Sequence, residues 1–407
     1  MRAASICVET RPKGVVYMEG YADEARKLPA LGVHDSPKSV LLLLEWEDER
    51  VLFVSLDICV LSRERIDPLV EQLSACLDMS QDHIVVSAIH SHSCPTGFAQ
   101  IDMGNGVSFG YEQMVTGEVL MAATHLAERL VSVRAELVST CIHGWYGNRS
   151  DKDRAFDDSA YVLRFVSETD GSVAGAMLNF NCHATVLGPK NRYVSADVLG
   201  AVRSELTEWI GITPYTFTGA SADLGNRQFR QGNDFPELVR TTNGIAGCIM
   251  KGAFEPCSLD VPRVRRFMYR VHFDAAEYHD AYRIQLAAVE RKLSGELSFD
   301  ERKLAVSEKC ALEMKLKTEV VDFPLEMTLL DFGSIVFVAF PGELASDLGQ
   351  RVKAMFPGRV ALVVGYANDY QGYFMTEADF GTCYETLATS MPQGGIERIL
   401  ELFEEWL

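Results

Sequence analysis

The stretch 85–98, VVSAIHSHSCPTGF, puts His90 and His92 two residues apart at the end of an apolar run. On an extended chain residues so spaced point to the same side, so both imidazoles can face one cavity. Pro95 and Gly97 then turn the chain, which suits a loop carrying functional groups at a strand end. A further strand-end histidine, His183, follows the apolar VAGAMLNFNC and precedes Pro189 in CHATVLGPK. Zinc takes nitrogen, sulfur and oxygen donors, and its hydrolytic sites keep one position open for water. The donors are far apart along the chain, with no local H-E-x-x-H signature. Taken alone, the histidine pair also fits a polar surface loop.

Two more segments could contribute. In FVAFPGELASDLGQRV an apolar strand reaches Glu343 and then a helix begins; an acid there also fits a helix N-terminus, where it meets the dipole. The segment 365–385, GYANDYQGYFMTEADFGTCYE, is dense in Gly, Tyr and acids, and its tyrosines fit half-buried packing as well as chemistry. Cys94 and Cys182 stand beside the histidines, where they could narrow a pocket, ligate metal or pack as small hydrophobes.

These residues need strands to hold them. Apolar, β-branched runs predict strands at 39–47, 50–61 and 83–89, the last two nearly unbroken as buried strands are. Ile66, Leu69, Val70 and Leu73 predict a helix between them, over 63–77. Apolar spacing predicts another helix over 111–133. Further strands are expected at 136–146, 160–166, 173–181, 213–218, 264–273, 326–340 and 359–366. Two charged helical stretches around a Gly-containing break read as a helical hairpin at 274–316, inserted between strands. Strands and helices alternate irregularly, so the expectation is an α/β fold with a mixed β-sheet core flanked by helices. Without a repeat or a Pro/Ser-rich linker, 1–407 reads as one catalytic domain carrying that insert.

Composition narrows the partners. Fifty-seven acidic against 38 basic residues give a net charge of −19, which argues against nucleic acid and against an anionic membrane surface. Ten cysteines without a C-x-x-C pair read as reduced thiols. The amino terminus lacks a secretory pattern and no apolar run has the roughly 18 to 20 residues of a spanning helix, so a cytoplasmic location is expected.

From GVHD (32–35) and FVSLDICVLS (53–62), through SAIHSHSCPTGF, NRS (148–150), NFNCHATVLGP and SADVLG (195–200), to PGEL and the Tyr-rich tail, the chain resembles the neutral, non-lysosomal ceramidases, a family of zinc amidases. The resemblance implies that His90, His183, Glu343 and Tyr373 hold one zinc per chain, and that His92 beside the metal moves protons. It implies that Arg149 and Tyr384 contact the reacting carbonyl. The activity expected is hydrolysis of an amide (N-acyl) bond by metal-activated water. Lactone, ester and glycosidic bonds stay open, as does a zinc-stabilised binding protein without catalysis. The donor set also accepts iron, manganese or copper. The acidic charge predicts a small soluble substrate rather than one held in a membrane. The helical insert could serve a homo-oligomer interface.

Overall fold

The computed structural model describes residues 1–99 and 104–407, apart from the side chains of Phe299 and Asp300. Nine strands form the first sheet: β1 (Arg2–Glu9), β2 (Lys38–Trp46), β3 (Glu49–Leu56), β4 (Ile84–Ala88), β5 (Val131–Cys141), β6 (Ser159–Ser167), β7 (Val173–Phe180), β8 (Tyr215–Phe217) and β9 (Glu255–Cys257). They lie in the order β8–β7–β6–β5–β1–β2–β3–β4, with β9 paired on β5. The β3/β4 and β7/β8 pairs are parallel, so the sheet is mixed, as expected. The second sheet contains β10 (Leu259–Asp274), β11 (Val320–Gly333) and β12 (Ile335–Ala339). After the short β13 (Glu343–Leu344), β14 (Val360–Val364) completes it, parallel to β12. The two-residue β15 (Tyr373–Phe374) pairs in parallel with β13 alone.

Alternation along β2 shows how the layers stack. Val40, Leu42 and Leu44 share a core with Phe337 and Leu362 of the second sheet. Leu41 and Leu43 point the other way, onto Leu69 and Leu73 of α1 (Arg63–Leu77) and Val119 of α2 (Tyr111–Thr124). Both faces are thus apolar, each buried Leu contributing roughly 1.5–3 kcal/mol. α3 (Asp197–Ile210) and α4 (Phe235–Ile249) extend the outer layer over Val162 and Leu178.

Between β10 and β11 stand α5 (His279–Leu293) and α6 (Phe299–Lys315), the hairpin expected at 274–316. α6 opens on a capping box: Ser298 Oγ accepts from the Glu301 amide, and the Glu301 carboxylate accepts from Ser298 N at 2.9 Å. Past the hairpin, α7 (Ser346–Ala354), α8 (Tyr384–Ala388) and α9 (Gly395–Trp406) follow. On the second sheet Ile335, Phe337 and Ala339 face the first sheet, while Val336 and Val338 pack on Leu348 of α7 and Phe403 of α9. The architecture is helix, sheet, sheet, helix. No described helix is long and apolar enough to cross a membrane.

Several expected boundaries move, among them those of the strand expected at 136–146, found at Val131–Cys141. The helix predicted over 111–133 ends at Thr124, because Val133 and Ala135 alternate into β5 after a turn at Ala127–Arg129. The strand predicted over 326–340 folds back at Gly333, where φ is +77°, giving β11 and β12. The strand predicted over 50–61 stops at Leu56, since Asp57 leaves the ladder to accept two bonds from Arg203, at 2.7 and 2.5 Å.

Candidate metal centre

The histidine loops leave β4 and β7 and are stitched together. Ser91 forms a parallel bridge with Ala184, and the His92 amide donates to the Ala184 carbonyl at 3.2 Å. Glu343 enters from β13, whose bridge to β15 sets it against Tyr373. These links bring the His183 Nε2 to 3.0 Å, and the His90 Nε2 to 3.6 Å, from the Glu343 Oε2. His90, His183 and Glu343 thus form a group that could hold a metal ion, all three 1% exposed or less.

His90 and His92 converge by a route other than the extended chain expected. His90 has φ +60°, left-handed backbone that a non-glycine residue adopts only when its surroundings impose it. The kink brings the His92 Nε2 to 3.0 Å from the His90 Nε2.

Hydrogen bonds decide which nitrogens are left for a metal. His90 Nδ1 faces the Cys59 carbonyl at 2.9 Å and His183 Nδ1 the Ser221 carbonyl at 2.7 Å. A carbonyl only accepts, so both Nδ1 atoms carry the proton and both Nε2 atoms present lone pairs to the centre. His183 Nε2 has no hydrogen-bond partner although fully buried. Burial, with the other imidazoles alongside, lowers His90 to about 4 and holds His92 well below the usual histidine range. Burial opposes the Glu343 charge, but His90, His183 and Tyr370 prevail and bring it down to about 2. Neutral imidazoles around an anionic carboxylate, with an orphaned nitrogen aimed inward, fit a divalent cation.

Around this group stands a ring of phenols. Tyr370 donates to Glu343 Oε1 at 2.5 Å and Tyr366 to Oε2 at 3.2 Å. Tyr373 lies with its ring parallel to that of His183, centroids 6.5 Å apart, and its phenol bonds Arg149. Arg149 donates to the Ala222 carbonyl and, at 2.6 Å, to Glu385. Its Nε has no partner although buried. Burial works against the Arg149 charge, yet Glu385 and Tyr373 more than offset it and raise its pKa. Tyr384 opens α8, its ring edge-on to Tyr373 at 6.1 Å.

A cavity of about 730 Å³ rises from this floor. His90, His92, Glu343 and Tyr373 line its base, and Tyr282, Leu304 and Met314 of the hairpin line one wall. The insert considered above as an oligomer interface therefore covers the site, its small core of Val289, Ala305 and Leu312 reaching Leu387 of α8.

All seven residues singled out in the sequence thus lie in one neighbourhood. Glu343 is no helix-capping acid, since α7 starts three residues later and the carboxylate turns inward. Cys94 and Cys182 pack, their thiols donating to the carbonyls of Ser195 at 3.3 Å and His183 at 3.4 Å. The thiol close to the centre is instead Cys59, which groups with His90 and His92. Sequence reasoning also missed Tyr366, Tyr370 and Gly20. A Cβ on Gly20 would lie 2.5 Å from His92 Cγ, so only glycine leaves that imidazole its place. The two tyrosines sit in the Tyr-rich segment, where their number was the only signal.

Comparison with known proteins gives a consistent picture. A family model described as neutral/alkaline non-lysosomal ceramidase, N-terminal, matches residues 10–212. The neutral ceramidase of Oryza sativa subsp. japonica is 25% identical over 255 residues, 57% of this chain and 32% of that protein. Neutral ceramidase 1 of Arabidopsis thaliana is 26% identical over 220 residues, 49% of this chain and 28% of that protein. The match thus spans about a third of the length of these relatives. In fold, the crystal structure of neutral ceramidase from Pseudomonas aeruginosa superposes with a TM-score of 0.76 at 18% identity, covering 99% of this chain and 73% of that one.

Proposed function

Because the chain belongs to the neutral/alkaline non-lysosomal ceramidase family, we propose that it is a zinc-dependent hydrolase of an N-acyl amide bond. The observation that carries this reading is the convergence of two imidazole Nε2 atoms and a carboxylate oxygen at the base of a cavity, with a further imidazole 3.0 Å from one of them. His90, His183 and Glu343 would hold the metal, with Tyr373 beside them as the fourth donor. When bound, zinc supplies a Lewis acid and lowers the pKa of water to about 7.

The chain's own groups do the rest. His92, neutral at physiological pH, accepts a proton at Nε2, the nitrogen facing the cluster, and returns one to the leaving amine. Arg149 keeps its unpartnered Nε–H for the acyl oxygen, and Tyr384 adds a phenol held neutral chiefly by burial. The apolar hairpin wall excludes water and suits an acyl chain.

One expectation gives way. Net charge predicted a small soluble substrate, but the relatives are named as ceramidases, after a lipid amide. A substrate with an acyl chain is the better reading here.

Metal analysis of purified wild type, His90→Ala and His92→Ala, together with hydrolysis of N-acyl amides, tests this. About one zinc per chain is expected in wild type and in His92→Ala, and little in His90→Ala. Hydrolysis should fall by roughly 10²–10⁴-fold in His92→Ala. Near-normal turnover in that variant would remove His92 from the reaction. Wild type without metal would overturn the zinc reading.

A further inference from the structure

The cavity does not share the charge of the protein around it. The chain carries −19, yet five basic residues line the cavity: Arg149, Arg227, Arg230, Lys303 and Lys315. Among the described residues the only acid lining it is Glu343, at the metal centre. Arg149 is ion-paired to Glu385, so of these charges the one that bears most directly on an incoming anion is that of Lys315.

Lys315 is the residue whose position is hardest to explain otherwise. It ends α6, where a cation suits the helix dipole, but its side chain turns into the cavity wall. There its ammonium reaches the Thr386 carbonyl at 3.4 Å and lies over the Tyr282 ring at 4.9 Å. Among the described residues it makes no ion pair, although α6 places Glu313 only two positions away, where it serves Lys309 instead. A half-buried ammonium facing a carbonyl and a ring is incompletely compensated, and an incoming anion would complete it. Thr386 belongs to α8, the helix that opens with Tyr384, so the ammonium stands on the same short element as a residue assigned to the reacting carbonyl.

We infer that the cavity selects amphiphilic N-acyl amides bearing an anionic group, a carboxylate or a phosphate, and that Lys315 is the residue that recognises it. This rests on the amide reading above and adds a substrate class to it. The acyl chain lies along the apolar hairpin residues Leu304 and Met314, and the anion meets Lys315.

The test compares N-lauroylglycine, N-lauroyl-O-phosphoethanolamine and the uncharged N-lauroylethanolamine, which share one acyl chain. For wild type, kcat/KM for an anionic amide should exceed that for the neutral one by about 10-fold, a magnitude set by one charge-assisted contact. Which anion gains more separates carboxylate from phosphate. Lys315→Met should bring the ratio close to one while turnover of the neutral amide and zinc content stay unchanged, and Lys315→Arg should keep the preference. Equal rates in wild type, or a preference that survives Lys315→Met, would overturn the inference. Calorimetric binding of the same amides to His92→Ala separates this from failure of the amide reading. If no amide is cleaved but the anionic ones still bind more tightly through Lys315, the recognition stands and the reaction falls.

Discussion

The candidate ligands His90, His183 and Glu343 at the cavity floor, 1% exposed or less, come from loops at the ends of β4 and β7 and from β13, and the two histidines are fixed by carbonyls of Cys59 and Ser221. The hairpin walling the same cavity is held by a core of three buried residues, the Ser298 capping box and surface pairs such as Lys309 with Glu290 at 2.9 Å, and it leaves Ile284 72% exposed. The floor depends on contacts between distant parts of the chain, and the wall mainly on contacts between the two helices of one hairpin, with a reach to α8. The lesson is a separation of tasks. On the proposed reading, geometry that must hold within tenths of an ångström sits on sheet ends, whereas substrate selection would sit on a hairpin that can change without moving the candidate ligands.

That contrast can be broken most strongly at the floor. Glu343→Gln keeps shape but removes the anionic donor, so metal content and activity should drop by more than about 100-fold; Tyr370→Phe, which loses one bond to that carboxylate, should cost roughly 10–100-fold. Elemental analysis alongside amide turnover measures both, and equal effects would mean the carboxylate is no donor. Next comes Gly20→Ala, whose Cβ meets the His92 ring at 2.5 Å. A displacement of about 1 Å lowers turnover by roughly 100-fold. Metal should stay bound, and a variant that also lost metal would show that His92 and the donors move as one.

The wall should answer more gently. Burial lowers the Lys315 pKa from 10.5 to about 8, so its charge is lost as pH rises through 8. The groups facing it are the Thr386 carbonyl and the Tyr282 phenol, which burial pushes up and keeps neutral. The preference for an anionic amide should therefore fade between about pH 7 and 9, and a ratio still flat at pH 10 would exclude Lys315 as its source. Smallest of all, Ser298→Ala removes the α6 cap at a cost of about 1 kcal/mol. Faster hydrogen exchange confined to the first turns of α6, with unchanged metal content, would confirm that wall and floor are stabilised separately.

Much of the floor was legible because strand ends announce themselves: an apolar run, then His, then a Pro or Gly turn, at His90 and again at His183. Glu343 was readable as a ligand only through the family resemblance, since the sequence alone favoured a helix acid. What stayed hidden works through backbone or through absence. The carbonyls of Cys59 and Ser221 leave no mark in side-chain identity, and Gly20 matters for the atom it lacks. The second sheet face was hidden too, since β2 is apolar on both sides and its alternation between Leu41 and Leu42 cannot be seen in VLLLL. Helical spacing at 111–133 misled because Val133 extends the i, i+4, i+7 series of Leu126 and Leu130, while with Ala135 it also fits the 2-residue period of the strand.

One consequence of the donors' placement concerns assembly of the chain. The stretch that the family model recognises, 10–212, holds His90 and His183 but stops far short of Glu343. That stretch is recognisable yet holds only two of the three grouped residues and lacks the carboxylate. Contacts so distant in sequence also form late, after the loop-closure entropy of the intervening segments has been overcome. The cluster is therefore complete only when three widely separated segments have met, and it carries the entropy cost of closing the long loops between them.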